Sequence, residues 1–134
     1  FAAIPLRRLG CIFVERFESA QSVEDVGALA RLAQSGESLL FFAEGTFRTE
    51  PGLLPFHLGA FSIAARCNLP LIALALSGTR RLLPGQTRWP RFSRLRLDIA
   101  PPLRAEGSDW EAVLHLRDSA RRWILQHLDE PNAS

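Results

Sequence analysis

Two short polar clusters stand where chemistry is possible, Glu15-Arg16 and Glu44-Gly45-Thr46, each directly after an apolar run of strand length. A carboxylate such as Glu44 accepts hydrogen bonds and can orient a neighbouring catalytic group. Gly45 lets the backbone turn tightly and approach a ligand, and Thr46 offers a hydroxyl. In open α/β sheets ligands gather beyond the carboxyl ends of the strands, which is where both clusters fall. A plainer reading stands beside this one. Local hydrogen bonds can stabilise a Glu-Gly-Thr turn with no ligand, and Arg16 can close a strand-end ion pair with Glu15 or Glu18.

The elements that must position these clusters follow from the hydrophobic pattern. Residues 10–16 read as a buried strand ending at Glu15 and Arg16. Ser22, with Asp25 three residues on, reads as the cap of a helix whose Val26, Leu29, Ala30 and Ala33 share a face and which Gly36 ends. Residues 38–43 form a second strand leading into Glu44, and 47–56, broken by Pro51, Gly52 and Pro55, form a loop. Residues 57–67 suit a helix that is apolar nearly all round and is stopped by Asn68 and Pro70. A third strand is expected at 69–76 and a half-exposed, alternating one at 94–99. Ser108 to Glu111 has the form of a capping box. It opens a last helix with Val113, Leu116, Ala120, Ile124 and Leu128 on its core face and a frayed tail after Asp129. Strands alternating with helices predict an α/β fold with a mostly parallel sheet flanked by helices.

With 134 residues, 47% hydrophobic and 22% charged, the composition is that of one globular domain spanning 1–134 and excludes a disordered or fibrous chain. Cys11 and Cys67 have no partner at metal-ligand spacing and read as reduced core residues, and no metal is implied. All sixteen cationic side chains are Arg. Between Glu50 and Asp98 there is no acidic residue, while Arg66, Arg80, Arg81, Arg88, Arg91, Arg94 and Arg96 fall there. Such a segment is either a solvated basic surface or a docking face for anionic lipid. A nucleic-acid partner is not expected, because only Trp89 and Phe92 accompany the charge. No apolar run approaches the roughly 20 residues that span a bilayer. The chain begins at Phe1 and contains no Met, so a fragment or processed product is expected, with room upstream for a membrane segment.

Taken together, four motifs in order carry a resemblance. Gly-x-x-Phe-Val-Glu-Arg at 10–16 resembles the second motif block of glycerolipid acyltransferases, and Phe-Ala-Glu-Gly-Thr at 42–46 resembles their third. The Pro-Phe-x-x-Gly-Ala-Phe continuation follows at 55–61, and the Pro-containing apolar run at 69–76 resembles the fourth block. The resemblance is to the 1-acyl-sn-glycerol-3-phosphate acyltransferase type. It implies transfer of a fatty acyl group, from acyl-CoA or acyl carrier protein, to a lysophospholipid hydroxyl in phospholipid biosynthesis, with no cofactor. In such enzymes a histidine in a His-x4-Asp block acts as general base. Here Ser62, Ala120 and Asn132 stand five residues after His57, His115 and His127, so the block has no copy in this chain and the fragment is expected to be inactive alone.

By matching position, the resemblance implies that Arg16 binds the acceptor phosphate, Glu44 completes the catalytic pocket, and Gly45 with Thr46 shapes the acceptor site. Phe47 takes the place of the usual Arg, so a second phosphate contact is either lost or supplied by Arg48. Ala43 replaces a usual proline. His57 stands where lysine is common, either touching an anionic headgroup or serving as an ordinary helix-start residue. Expected partners are the lysophospholipid, the acyl donor and an anionic membrane, at whose cytoplasmic face the protein is peripheral or anchored through a segment outside this chain. The alternatives are a non-catalytic anionic-lipid-binding module and an acyltransferase with a different lyso-lipid acceptor.

Overall fold

A computed structural model describes residues 22–45, 52–82 and 89–128. Helix α1 spans Ser22–Gln34, and its Leu29 and Ala33 are buried against Ile63 of α2, Gly59–Arg66. Both helices stop where the sequence offers a residue that tolerates a left-handed backbone. At Gly36 (φ +94°) the amides of Gly36 and Glu37 return to the carbonyls of Ala33 and Leu32, each at 3.2 Å. At Asn68 (φ +51°) the amides of Asn68 and Leu69 return to Ala65 (3.3 Å) and Ala64 (2.9 Å). These are paired Schellman closures, which satisfy the last carbonyls of each helix.

Between the two helices, Leu39 and Phe41 pack inward while Leu40 and Phe42 are 71% and 85% exposed. The strand expected at 38–43 therefore has the right alternation, but no ladder partner among the described residues. The first expected strand, at 10–16, and Cys11 lie outside the described residues.

Strand β1, Leu74–Ser77, is followed by the short helix α3, Thr79–Leu82, and pairs with β2, Arg96–Ile99. The pairing is antiparallel, with Leu74 opposite Ile99 and Leu76 opposite Leu97. Thus the sheet seen among the described residues is two-stranded and antiparallel, and the mostly parallel pairing expected from the alternation of elements is not found there. The reason is local: the connection from β1 returns the chain to the same end of the pair, where a parallel partner would need a full crossover.

The expected alternation along β2 is present, but the face turned to the core is not the apolar one. Ala73 and Ala75 on β1 and its approach, with Ala100 after β2, are buried, and Ala73 and Ala100 join the core cluster with Val113, Leu116 and Ala120. Leu74, Leu76, Leu97 and Ile99 lie on the opposite face, between 41% and 63% exposed. Small alanines allow close approach of the last helix, α4, Trp110–His127, where larger side chains would hold it off.

The cap of α4 is one residue later than expected. Asp109, extended at φ −77° and ψ 173°, accepts from the amide of Ala112 at 2.8 Å, so Asp109 rather than Ser108 is the N-cap. The far end of α4 is tied to the sheet by Arg96, which donates to the carbonyl of His127 at 2.8 Å and pairs with Asp98 at 2.7 Å.

Candidate functional site

The segment after Phe41 turns sharply. The Gly45 amide donates to the carbonyl of Phe42 at 3.0 Å, and Gly45 takes φ +64°, a left-handed conformation that glycine adopts without steric cost. The turn leaves Glu44 half-buried, and its carboxylate accepts from the backbone amide of Leu54 at 2.8 Å. An ionised acceptor makes this a stronger link than a neutral hydrogen bond.

A second link binds the same two segments. The His57 amide donates to the carbonyl of Ala43 at 2.8 Å, and the His57 ring lies over Gly45. The ring is so close that a Cβ at Gly45 would meet His57 Cδ2 at 2.7 Å and Nε2 at 2.9 Å. Glu44, Gly45 and His57, separated by up to thirteen positions in sequence, thus form one small surface in which a fixed carboxylate neighbours an exposed imidazole. Such an arrangement can accept a hydrogen bond from, or orient, a polar group placed over the turn, and the imidazole can contribute a donor or an acceptor.

Arg16, Thr46 and Arg48 lie outside the described residues. Within the arginine-rich connection, Arg91 and Arg94 are exposed, as are Trp89 (82%) and Phe92, whose side chain is fully presented to solvent. His115 is exposed on α4, and His127 stacks on Trp123 with ring centroids 3.9 Å apart. Among the described residues no group of three His, Cys, Asp or Glu side chains could hold a metal ion, and no helix is long and apolar enough to cross a membrane.

One residue at this site escaped the sequence reading. Arg121 of α4 donates through Nη2 to the carbonyl of Leu53 at 3.0 Å, beside the residue whose amide holds Glu44. On an amphipathic helix an Arg next to the core stripe looks like any solvated cation. No spacing rule marks it.

A family model described as acyltransferase matches residues 1–77, a span that contains Glu44, Gly45 and His57. A chloroplastic 1-acyl-sn-glycerol-3-phosphate acyltransferase from Brassica napus is 29% identical over 122 residues, covering 90% of this chain and 34% of its own length. The 1-acyl-sn-glycerol-3-phosphate acyltransferase alpha of Mus musculus is 28% identical over 120 residues, covering 87% of this chain and 41% of its own. A 1-acyl-sn-glycerol-3-phosphate acyltransferase from Cocos nucifera is 25% identical over 118 residues, with 87% and 38% covered. The chain thus spans roughly two-fifths or less of the length of these relatives. No solved structure matches it.

Proposed function

The chain belongs to the acyltransferase family, and on that premise we propose that the protein carrying it transfers a fatty acyl group from a thioester to the hydroxyl of a lysophospholipid, 1-acyl-sn-glycerol-3-phosphate first. Relatives named for that acceptor over most of this chain support the substrate class. The observation that carries the site is the Glu44 carboxylate held by the Leu54 amide beside the left-handed turn at Gly45.

In the reaction the acceptor hydroxyl oxygen forms a bond to the acyl carbonyl carbon as its proton passes to a general base. The carbon–sulfur bond then breaks, and the proton returns to the departing thiolate of CoA or acyl carrier protein. A base of the His-x4-Asp type is not among these 134 residues, so this chain contributes the acceptor side and is inactive by itself. Glu44 orients the reacting groups, Gly45 and Thr46 shape the floor on which the acceptor lies, and Arg16 binds its phosphate through a planar fork suited to two oxygens. Arg48 supplies a second phosphate contact, and His57 stands at the rim facing the headgroup. The lipid is presented at the cytoplasmic face of an anionic membrane. The exposed Arg91 and Arg94, flanked by Trp89 and Phe92, suit that surface.

In the complete protein Arg16→Ala is expected to raise KM for the acceptor about tenfold or more, as removal of a charged phosphate contact does. Glu44→Ala is expected to act on kcat. Unchanged steady-state kinetics in both variants would remove the site assignment. A second reading is a lipid-binding module without chemistry. It predicts that the complete protein binds lysophosphatidate-containing liposomes yet releases no thiol from acyl-CoA or acyl carrier protein.

A further inference from the structure

We infer that Arg121 is a positioning residue for the Glu44, Gly45 and His57 surface, an inference that rests on the site reading above and concerns a helix beyond the span of the family match. The observations lie on both sides of Leu54. On one side Arg121 Nη2 donates to the carbonyl of Leu53, itself a buried core residue. On the other its guanidinium carbon sits 5.8 Å from the ring centroid of Phe56, within range of a cation–π contact. Phe56 is 7% exposed and stacks on Phe61 of α2 with centroids 6.2 Å apart. A single planar cation therefore grips the loop at two points.

The residues between and after those points are the ones that reach the site. Leu54 gives its amide to Glu44, and His57, next to Phe56, gives its amide to Ala43 and its ring to the face of Gly45. Arg121 is itself held in place because the neighbouring Ala120, with Val113 and Leu116 earlier in α4, is buried in the core. It is half-buried, so solvent screens its contacts less than it would those of a surface arginine. A guanidinium can donate in its plane and present its face to a ring at the same time. A lysine ammonium is a compact point charge with no flat face to lay on the ring, so it matches the two contacts less well.

The test uses Arg121→Met, which keeps an apolar stem and deletes the guanidinium, and Arg121→Lys, which keeps the charge. Amide hydrogen exchange in the complete protein is expected to quicken about tenfold at Leu54 and His57 in the Met variant and less in the Lys variant. Ala100, whose amide bonds to Ala73, should be unaffected. No change at Leu54 and His57, or equal quickening at all three amides, overturns the inference. In the complete protein Arg121→Met should lower kcat about tenfold through misplacement of Glu44. In a Glu44→Gln background it should lower kcat by less than about twofold further. Fully additive losses overturn the proposed route through Glu44. If Glu44→Gln alone leaves kcat unchanged, the site reading fails instead, and the exchange data still decide whether Arg121 holds the loop.

Discussion

Replacing Gly45 with alanine tests the turn beneath His57, and its effect can be worked out from two separate contributions. The first is conformational. At φ +64° an L-residue carries a side chain into the left-handed region, which costs roughly 1–2 kcal/mol. The second is steric. The new Cβ would sit 2.7 Å from His57 Cδ2 and 2.9 Å from Nε2, too close to be tolerated, so the ring must move. Because His57 is exposed, the ring can rotate outward, and an off-rotamer position costs about 0.5–1.5 kcal/mol. The sum is a loss of roughly 1.5–3.5 kcal/mol. It should be read from urea unfolding as a lower midpoint at unchanged slope. In a His57→Ala background the steric part vanishes while the conformational part remains, so the same substitution should cost about 1–2 kcal/mol there. The His57 Hδ2 resonance should shift in Gly45→Ala as the ring leaves the turn. A loss under about 0.5 kcal/mol in both backgrounds would mean that Gly45 is not left-handed. An equal loss in the His57→Ala background and in the parent would mean that the ring is not its neighbour.

Gly78 makes a sharper version of the same argument, since a Cβ there would stand 2.1 Å from the backbone carbonyl oxygen of Arg94, at φ +89°. Backbone cannot swing aside, so Gly78→Ala must spread the start of the β1–β2 connection and should cost about 3 kcal/mol or more in the same unfolding assay. A loss no larger than that of Gly45→Ala would sink the reasoning. At α4, Asp109→Ala should cost about 1 kcal/mol because the Ala112 amide loses its acceptor. Ser108→Ala should stay within about 0.5 kcal/mol, and the opposite order would restore Ser108 as the cap.

The helices were legible because their determinants are local. Periodic apolar residues placed α1, α2 and α4, and Gly36 and Asn68 marked two stops because few residues accept the backbone that a Schellman closure needs. Local pattern does not fix the cap of α4 to the residue, because Ser108 and Asp109 are both good acceptors. Only the final hydrogen bond to Ala112 chooses between them. The face of β2 was harder still. Alternation shows that two faces differ, but which one meets the core depended on Ala73 and Ala75 across the sheet and on a helix that needed small neighbours.

For the candidate site the division is similar. The family is legible in motifs whose spacing is local, and the same motifs point to Glu44 and Gly45 as the residues of a tight turn after an apolar run. It takes the folded chain to show that Leu54 holds Glu44, that His57 covers Gly45, and that Arg121, far along the chain, reaches the loop joining them. Residue types and short spacings record what a backbone can do within a few positions. Contacts across dozens of residues are set by how the elements pack, because only packing brings the Leu53 carbonyl and the Phe56 ring within reach of one guanidinium.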